Sequence, residues 1–470
     1  MNDKPGFMPG QMHRTPRPPA DDSFEDVYRL RPGAIWRRLK AEPLYFWLFC
    51  GYLFFEYFRP QVIYPVIDFF PWARTFILGA FLFALFSARQ SKSLSGPLTL
   101  PFFAFMGVVF ASIPFAFDPA WSMREVNTMI NWILVYLLFL WLVDTKFRFY
   151  IVLGILFLAS LKLAQHGFRV SLSRDFGYAS WGIKGPLGWF SNAADLGVQM
   201  AIFTAWAVAI YLGLRTYWEY RVIRWLFAFA PIAGVVTAIG IGQRNTAVAF
   251  VAMGLAVLLV TRNRIRNLLI VALAGAALFM LMPDEYKARF DTAGTDHTSE
   301  SRLAYWEHGK RIYADHPVIG VGFNNWAPYT VSNYPEMFVL GRFEVAHSVP
   351  ITVAVETGTL GLITYYWLVL AIVLTNLRSA RLLRSVEPPF WRYMAIALNV
   401  GLAGFLGAGM FLSIMIYPFL WFQAGLTAAL YKIAAREHRP NRSDTFNSAG
   451  GPRQIPAAEP DVRCRSFVPR

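Results

Sequence analysis

The chain has 470 residues, of which 56% are hydrophobic, 17% aromatic and only 16% charged. That composition excludes an ordinary soluble domain and points to a polytopic membrane protein. The formal net charge of +15 comes without a basic stripe interleaved with aromatics and without a nucleic-acid-binding module, so nucleic acid is not an expected partner.

Residues 1–43 are rich in Pro, Arg and Asp and hold no short apolar core followed by a small-residue cleavage site. They are expected to form a disordered cytoplasmic arm with no cleaved signal peptide, leaving the first membrane helix to direct insertion. Apolar stretches long enough to cross a bilayer of about 30 Å then recur at 44–62, 72–88, 98–117, 126–143, 147–164, 193–213, 222–242, 245–261, 267–282, 348–377, 391–411 and 414–433. The expected fold class is therefore an all-α polytopic integral membrane protein with about 12 transmembrane helices. Nine lie in 44–282 and three in 347–435, with a long helical periplasmic loop at 283–346 between helices 9 and 10. Residues 436–470 have the Pro, Gly, Ser and Arg content of a disordered cytoplasmic tail.

An even number of spans puts both termini on one side. With the termini in the cytoplasm, 30 of the 44 Lys and Arg fall inside and 14 outside, six of those in the long loop. Basic residues are retained on the cytoplasmic side, so the expected location is a bacterial inner membrane, with the long loop facing outward. Cys50 lies in the first apolar run and Cys464 in the tail. Two cysteines so far apart fit neither a disulfide framework nor a metal site.

The sequence "WGIKGPLGWFSNAADLG", 181–197, reads as a Gly- and aromatic-rich outer loop entering a helix. Lys184 there could meet an anion or a sugar, and Trp181 and Trp189 could stack on sugar faces, although interfacial Trp belts are commoner. In "IGIGQRNTAVAF" Arg244 sits where one helix ends and the next begins. An Arg at that depth is costly unless it is paired, faces a wet cavity or snorkels to the interface.

The long loop exceeds what a passive connection needs and is expected to have its own fold. Within "SESRLAYWEHGKRIYADHPVIGVGFNNW", Ser299 or Ser301 would cap a helix. Leu303, Trp306 and Tyr313 would share a face, and His316-Pro317 would end it. Arg302 would then lie in the first turn, where its fork of donors adds to the positive helix end in a way that suits a phosphate. The competing reading is an exposed Arg paired with Glu300 or with headgroups. Trp306 is a further aromatic that a sugar could meet. His297, His308 and His316 lack metal-ligand spacing, so no metal and no cofactor are expected.

His347, in "FEVAHSVPITVAVETGTLGL", stands where the loop meets the next span. Imidazole suits proton exchange near neutral pH, and the membrane boundary is where a lipid-linked substrate presents its headgroup. A single interfacial His is more often structural. Glu356, nine residues on, needs a partner or a cavity inside the membrane.

Taken in order, "GQRNTAV", the Arg-x3-Trp stretch "SRLAYW", "HPVIGVGFNNW" and "AHS" leading into "VETGTLGL" resemble the O-antigen ligase and polymerase superfamily. With the preceding "GPLG" loop, the sequence looks most similar to the O-glycosylation ligases associated with exosortase systems. The resemblance implies a metal-independent membrane glycosyltransferase that moves a glycan from an undecaprenyl-diphosphate carrier to an acceptor hydroxyl on the periplasmic face. His347 matches the family's catalytic His, and Arg244 and Arg302 match Arg positions thought to hold the diphosphate. Asn245 stands where relatives often have Gly, and Ser348 where many have Asn, which leaves fine specificity open. A polymerase of the same superfamily would share these residues. A transporter of lipid-linked sugars would instead call for inverted repeats and broken helices, and no internal repeat is present.

Overall fold

The computed structural model describes residues 24–88, 92–177, 182–260, 263–281, 284, 287, 297–335 and 345–438. Among these it is all-helical, with no strand. The principal helices are α1 (Pro32–Lys40), α2 (Leu44–Leu53), α3 (Trp72–Phe86), α4 (Thr99–Ser112), α5 (Pro119–Leu142), α6 (Lys146–Ser173), α7 (Ala193–Leu214) and α8 (Arg221–Ile241). They continue with α9 (Arg244–Val260), α10 (Arg264–Leu281), α11 (His297–Asp315), α12 (Trp326–Asn333), α13 (Val349–Leu382), α14 (Phe390–Gly409) and α15 (Pro418–Glu437). A helix lies at each apolar stretch named above. Six of them (α5, α6, α7, α8, α13 and α14) are long and apolar enough to cross a membrane, and shorter apolar helices accompany them.

Helix α7 forms the centre, packed against α8, α9 and α14. Its sequence alternates small Ala, Gly and Thr with larger apolar residues, which lets neighbouring backbones approach closely where water cannot drive association. Leu196, Met200 and Phe203 on it are fully buried.

The arm expected to be disordered is ordered in part. Residues 25–28 and α1 are helical, and the Tyr28 hydroxyl is buried and accepts a hydrogen bond from Trp391 Nε1 at 2.8 Å. "PGAIWRRLK" explains α1, with Pro at the first turn, where its missing N–H costs nothing, and one apolar edge. This end of the bundle is closed by ion pairs. Arg148 meets Glu42 at 2.7 Å and Asp144 at 3.1 Å, and Lys146 meets Glu437 at 2.7 Å.

At the other end α13 is broken. Gly358 has φ 63° and ψ −160°, inside an otherwise continuous helix. A break within a membrane helix leaves backbone groups that must find partners in the protein. Residues 317–321 supply them: Val321 N–H donates to Val355 O at 2.8 Å, Thr359 N–H to Pro317 O at 2.8 Å, and Leu360 N–H to Val318 O at 3.3 Å. The approach is close enough that a Cβ on Gly358 would lie 2.3 Å from Val318 O, and one on Gly320 2.3 Å from Val355 O.

The following "GFNNW" is riveted to the α4–α5 connection. Phe117 N–H donates to Val321 O at 2.9 Å, Asp118 N–H to Asn325 Oδ1 at 2.6 Å, and Ser122 Oγ to Phe323 O at 2.6 Å. The long loop thus builds a second apolar cluster of Tyr305, Ile312, Val321, Trp326, Ala346 and Val355. Ala in place of Gly358 is expected to cost about 1–3 kcal/mol for the left-handed backbone before the Val318 clash is counted. Thermal unfolding of the detergent-solubilised chain should show a clear drop in midpoint, whereas Gly275→Ala, in open space on α10, should not.

Candidate active site

Gly242 and Gln243 alone separate α8 from α9, so Arg244 is the first residue of α9. Its Nη1 donates to Ser299 Oγ on α11 at 3.4 Å. That contact brings two segments 55 residues apart to one spot. Ser299 lies three residues before Arg302 on the same helix.

Helix α11 runs already at His297, so Ser299 and Ser301 are internal and Arg302 lies beyond the first turn. The helix-end dipole, which fades within one turn, therefore adds little to Arg302, and its own guanidinium carries the attraction. The packed face also differs from expectation. Tyr305, Gly309 and Ile312 are buried at spacings of four and three, whereas Leu303 is 56% exposed. The heptad-like match of Leu303 to Trp306 and Tyr313 was outweighed by the docking of Gly309 against Ile351 and Trp326.

His347 occupies the left-handed region at φ 47°, a conformation uncommon for a residue with a side chain although His is among those enriched there. Its neighbours Ala346 and Ser348 are buried, and Ser348 occupies the N-cap position of α13 without a side-chain cap bond. Trp306 Nε1 donates to Ala346 O at 3.1 Å, and Tyr305 stacks on the imidazole with ring centroids 6.3 Å apart. Burial, and then the Arg302 guanidinium, push the His347 imidazolium down to about 4. The ring is therefore neutral near pH 7 and able to accept a proton or a hydrogen bond.

Beside His347 a cavity of about 120 Å³ is lined by Asn324, Trp326, Ala346, Thr352, Glu356 and Ser413, among others. Glu356 is buried and its Oε1 accepts from Trp326 N–H at 3.3 Å. The partner and the cavity that Glu356 needed are both present. Thr352 Oγ1 and Ser413 Oγ lie 3.2 Å apart on the cavity wall.

Residues 229–366 match the family model Wzy_C, described as O-antigen ligase. This segment belongs to the O-antigen ligase/polymerase superfamily. No curated protein matches the sequence. The ligase segment holds Arg244, Arg302, His347 and Glu356 together, and the fold joins the first three through Ser299 and the electrostatic contact of Arg302 with His347.

Other candidates fall differently around the ligase segment. Lys184 is exposed on the 182–192 loop, and Trp181 lies outside the described residues. Trp189 is a packing residue: its Nε1 donates to Glu56 Oε1 at 2.7 Å and its ring meets Tyr417 and Trp132. Trp306 braces the Ala346 backbone and packs against Phe411. Tyr305 and Ser413 were not singled out from the sequence, and Ser299 only as a candidate helix cap. Tyr305 was readable only as an aromatic one position before Trp306, and Ser413 had no signal.

Because the folded imidazole titrates below the ordinary 6.5, protonation opposes folding, so the stabilising contribution is complete above about 6.5 and falls as pH drops toward 4. Site-resolved histidine NMR should place the His347 midpoint near 4. In Arg302→Gln the midpoint should rise yet stay below 6.5, since burial remains.

Proposed function

We propose that the chain is an O-antigen ligase-like glycosyltransferase of the bacterial inner membrane, with both termini cytoplasmic and the site facing the periplasm. The observation that carries this reading is the convergence of Arg244, Arg302 and a neutral, backbone-braced His347 beside a largely apolar cavity into which Asn324, Thr352, Glu356 and Ser413 bring polar groups. In it, 44–282 and 347–435 form the membrane domain, and 283–346 is a periplasmic loop over the site. Within the superfamily, the sequence resembles the exosortase-associated subtype.

The donor is a glycan on undecaprenyl diphosphate. The acceptor hydroxyl attacks the anomeric carbon and the carbon–oxygen bond to the diphosphate breaks, with inversion in a single displacement. Arg244 and Arg302 meet the charge that develops on the leaving diphosphate, in the role a metal ion fills elsewhere, and such preorganised donors are worth roughly 3 kcal/mol each when removed. His347 Nδ1 or Nε2 accepts the acceptor proton, a contribution of about 10² to 10⁴-fold. Its depressed basicity before substrate binds becomes an advantage once the diphosphate enters, since a nearby dianion raises the affinity of the ring for a proton.

A polymerase would share this chemistry and differ in acceptor, and product length separates the two. A transporter would use the break in α13 to coordinate its cargo, yet Val355 O at that break is taken by Val321 N–H, which favours the enzyme.

Purified protein should transfer glycan from the lipid-diphosphate donor in the presence of a chelator. His347→Ala should lower turnover by about 10² to 10⁴-fold, and Arg302→Ala and Arg244→Ala by about 10² to 10³-fold each, with folding unchanged by thermal unfolding. Full activity in His347→Ala, or loss of activity on chelation, would overturn the mechanism.

A further inference from the structure

Lys162, His166 and Arg169 follow one another on α6 at spacings of four and three, which places them on one helix face. The opposite face is the packed one. Ser160 Oγ accepts from Gln199 there, Ala164 O accepts from Thr237 Oγ1, and Ser171 lies against Gly240. His166 and Arg169 are exposed and Lys162 is half-buried.

Counted from Lys146 at 1.5 Å per residue, Lys162 stands about 24 Å along the helix and Arg169 about 34 Å. The hydrocarbon layer is about 30 Å thick. With the Lys146 end at the cytoplasmic boundary, where its ion pairs lie, the three side chains climb from the outer hydrocarbon to the level of the outer headgroups.

Lys162 Nζ sits 4.0 Å from the centre of the Phe58 ring. The next residue, Arg59, is left-handed at φ 52° and lies against the Gly188 backbone. Its buried Nε has no hydrogen-bond partner, and its charge acts on the buried Glu56, whose Oε1 accepts from Trp189.

At the other end of the bundle Arg29, Lys146, Arg148 and Arg436 are matched by carboxylates. Among the described residues, Lys162, His166 and Arg169 have no carboxylate partner within ion-pair range. A cation held in the hydrocarbon without a countercharge marks a site for one.

We propose that this face of α6, with Arg59 at its edge, binds the phosphate of an outer-leaflet lipid, as an anion site separate from Arg244 and Arg302. A lipid is the occupant because Lys162 sits at hydrocarbon depth, which a water-soluble phosphate does not reach. Through Arg59 and the 182–192 loop the site abuts Trp189, whose ring packs on Tyr417 next to Ile416 of the cavity wall. The proposal rests on the outward orientation given above and not on the transfer chemistry.

Native mass spectrometry of the full chain, with phosphatidic acid or phosphatidylcholine added, tests it. Wild type is expected to retain phosphatidic acid at least ten-fold better than phosphatidylcholine. Lys162→Gln/Arg169→Gln should lose that preference, the exposed Arg169→Gln alone should weaken it about three-fold, and the charge-preserving Lys162→Arg/Arg169→Lys should keep it. Arg302→Gln should also keep it, which separates this face from the catalytic cavity. Equal retention of the two lipids by wild type, an undiminished preference in both Gln variants, or displacement by millimolar inorganic phosphate as effective as by lipid would each overturn the assignment. Binding is read without turnover, so absence of transferase activity leaves the result intact, and failure here leaves the His347 mechanism standing.

Discussion

The break in α13 is the constraint on which the rest of the site depends. A backbone cut open at membrane depth costs several kcal/mol per unsatisfied group, so the chain must bring other backbone to it. Residues 317–321 do so, and in doing so they fix where "GFNNW" sits, which in turn places Asn325 against Asp118 and Ser122, and Trp326 against Glu356. The cavity beside His347 is what remains between these commitments. Gly358 and Gly320 are therefore structural preconditions of a site whose chemistry is carried elsewhere.

Charge is distributed with equal economy. Arg148, Lys146 and Arg436 at one end neutralise Glu42, Asp144 and Glu437 and close the bundle. At the other end Arg244 reaches a serine hydroxyl and Arg302 acts on an imidazole.

The helices were legible because each span is a long apolar run, and the period of the pattern matters little when lipid and protein are both apolar. The order of the motifs also pointed to the three candidate residues of the site. What escaped was everything set by contact between distant segments. The start of α11 at or before His297 displaced Arg302 from the first turn, since serines that read as caps are equally compatible with a helix interior. Trp306 and Trp189 read as aromatics that a sugar could meet; an indole N–H needs a partner when half-buried, and which partner each found was set by the fold. The helical turn around Tyr28 and α1 was hidden in a Pro- and Arg-rich arm whose composition resembles disorder.

The hydrogen bond from Trp306 to Ala346 ties α11 to the peptide just before His347. A movement of α11 must either break that bond or turn the imidazole with it. On the proposed mechanism, with His347 as the proton acceptor, the position of α11 and the aim of the ring are therefore coupled.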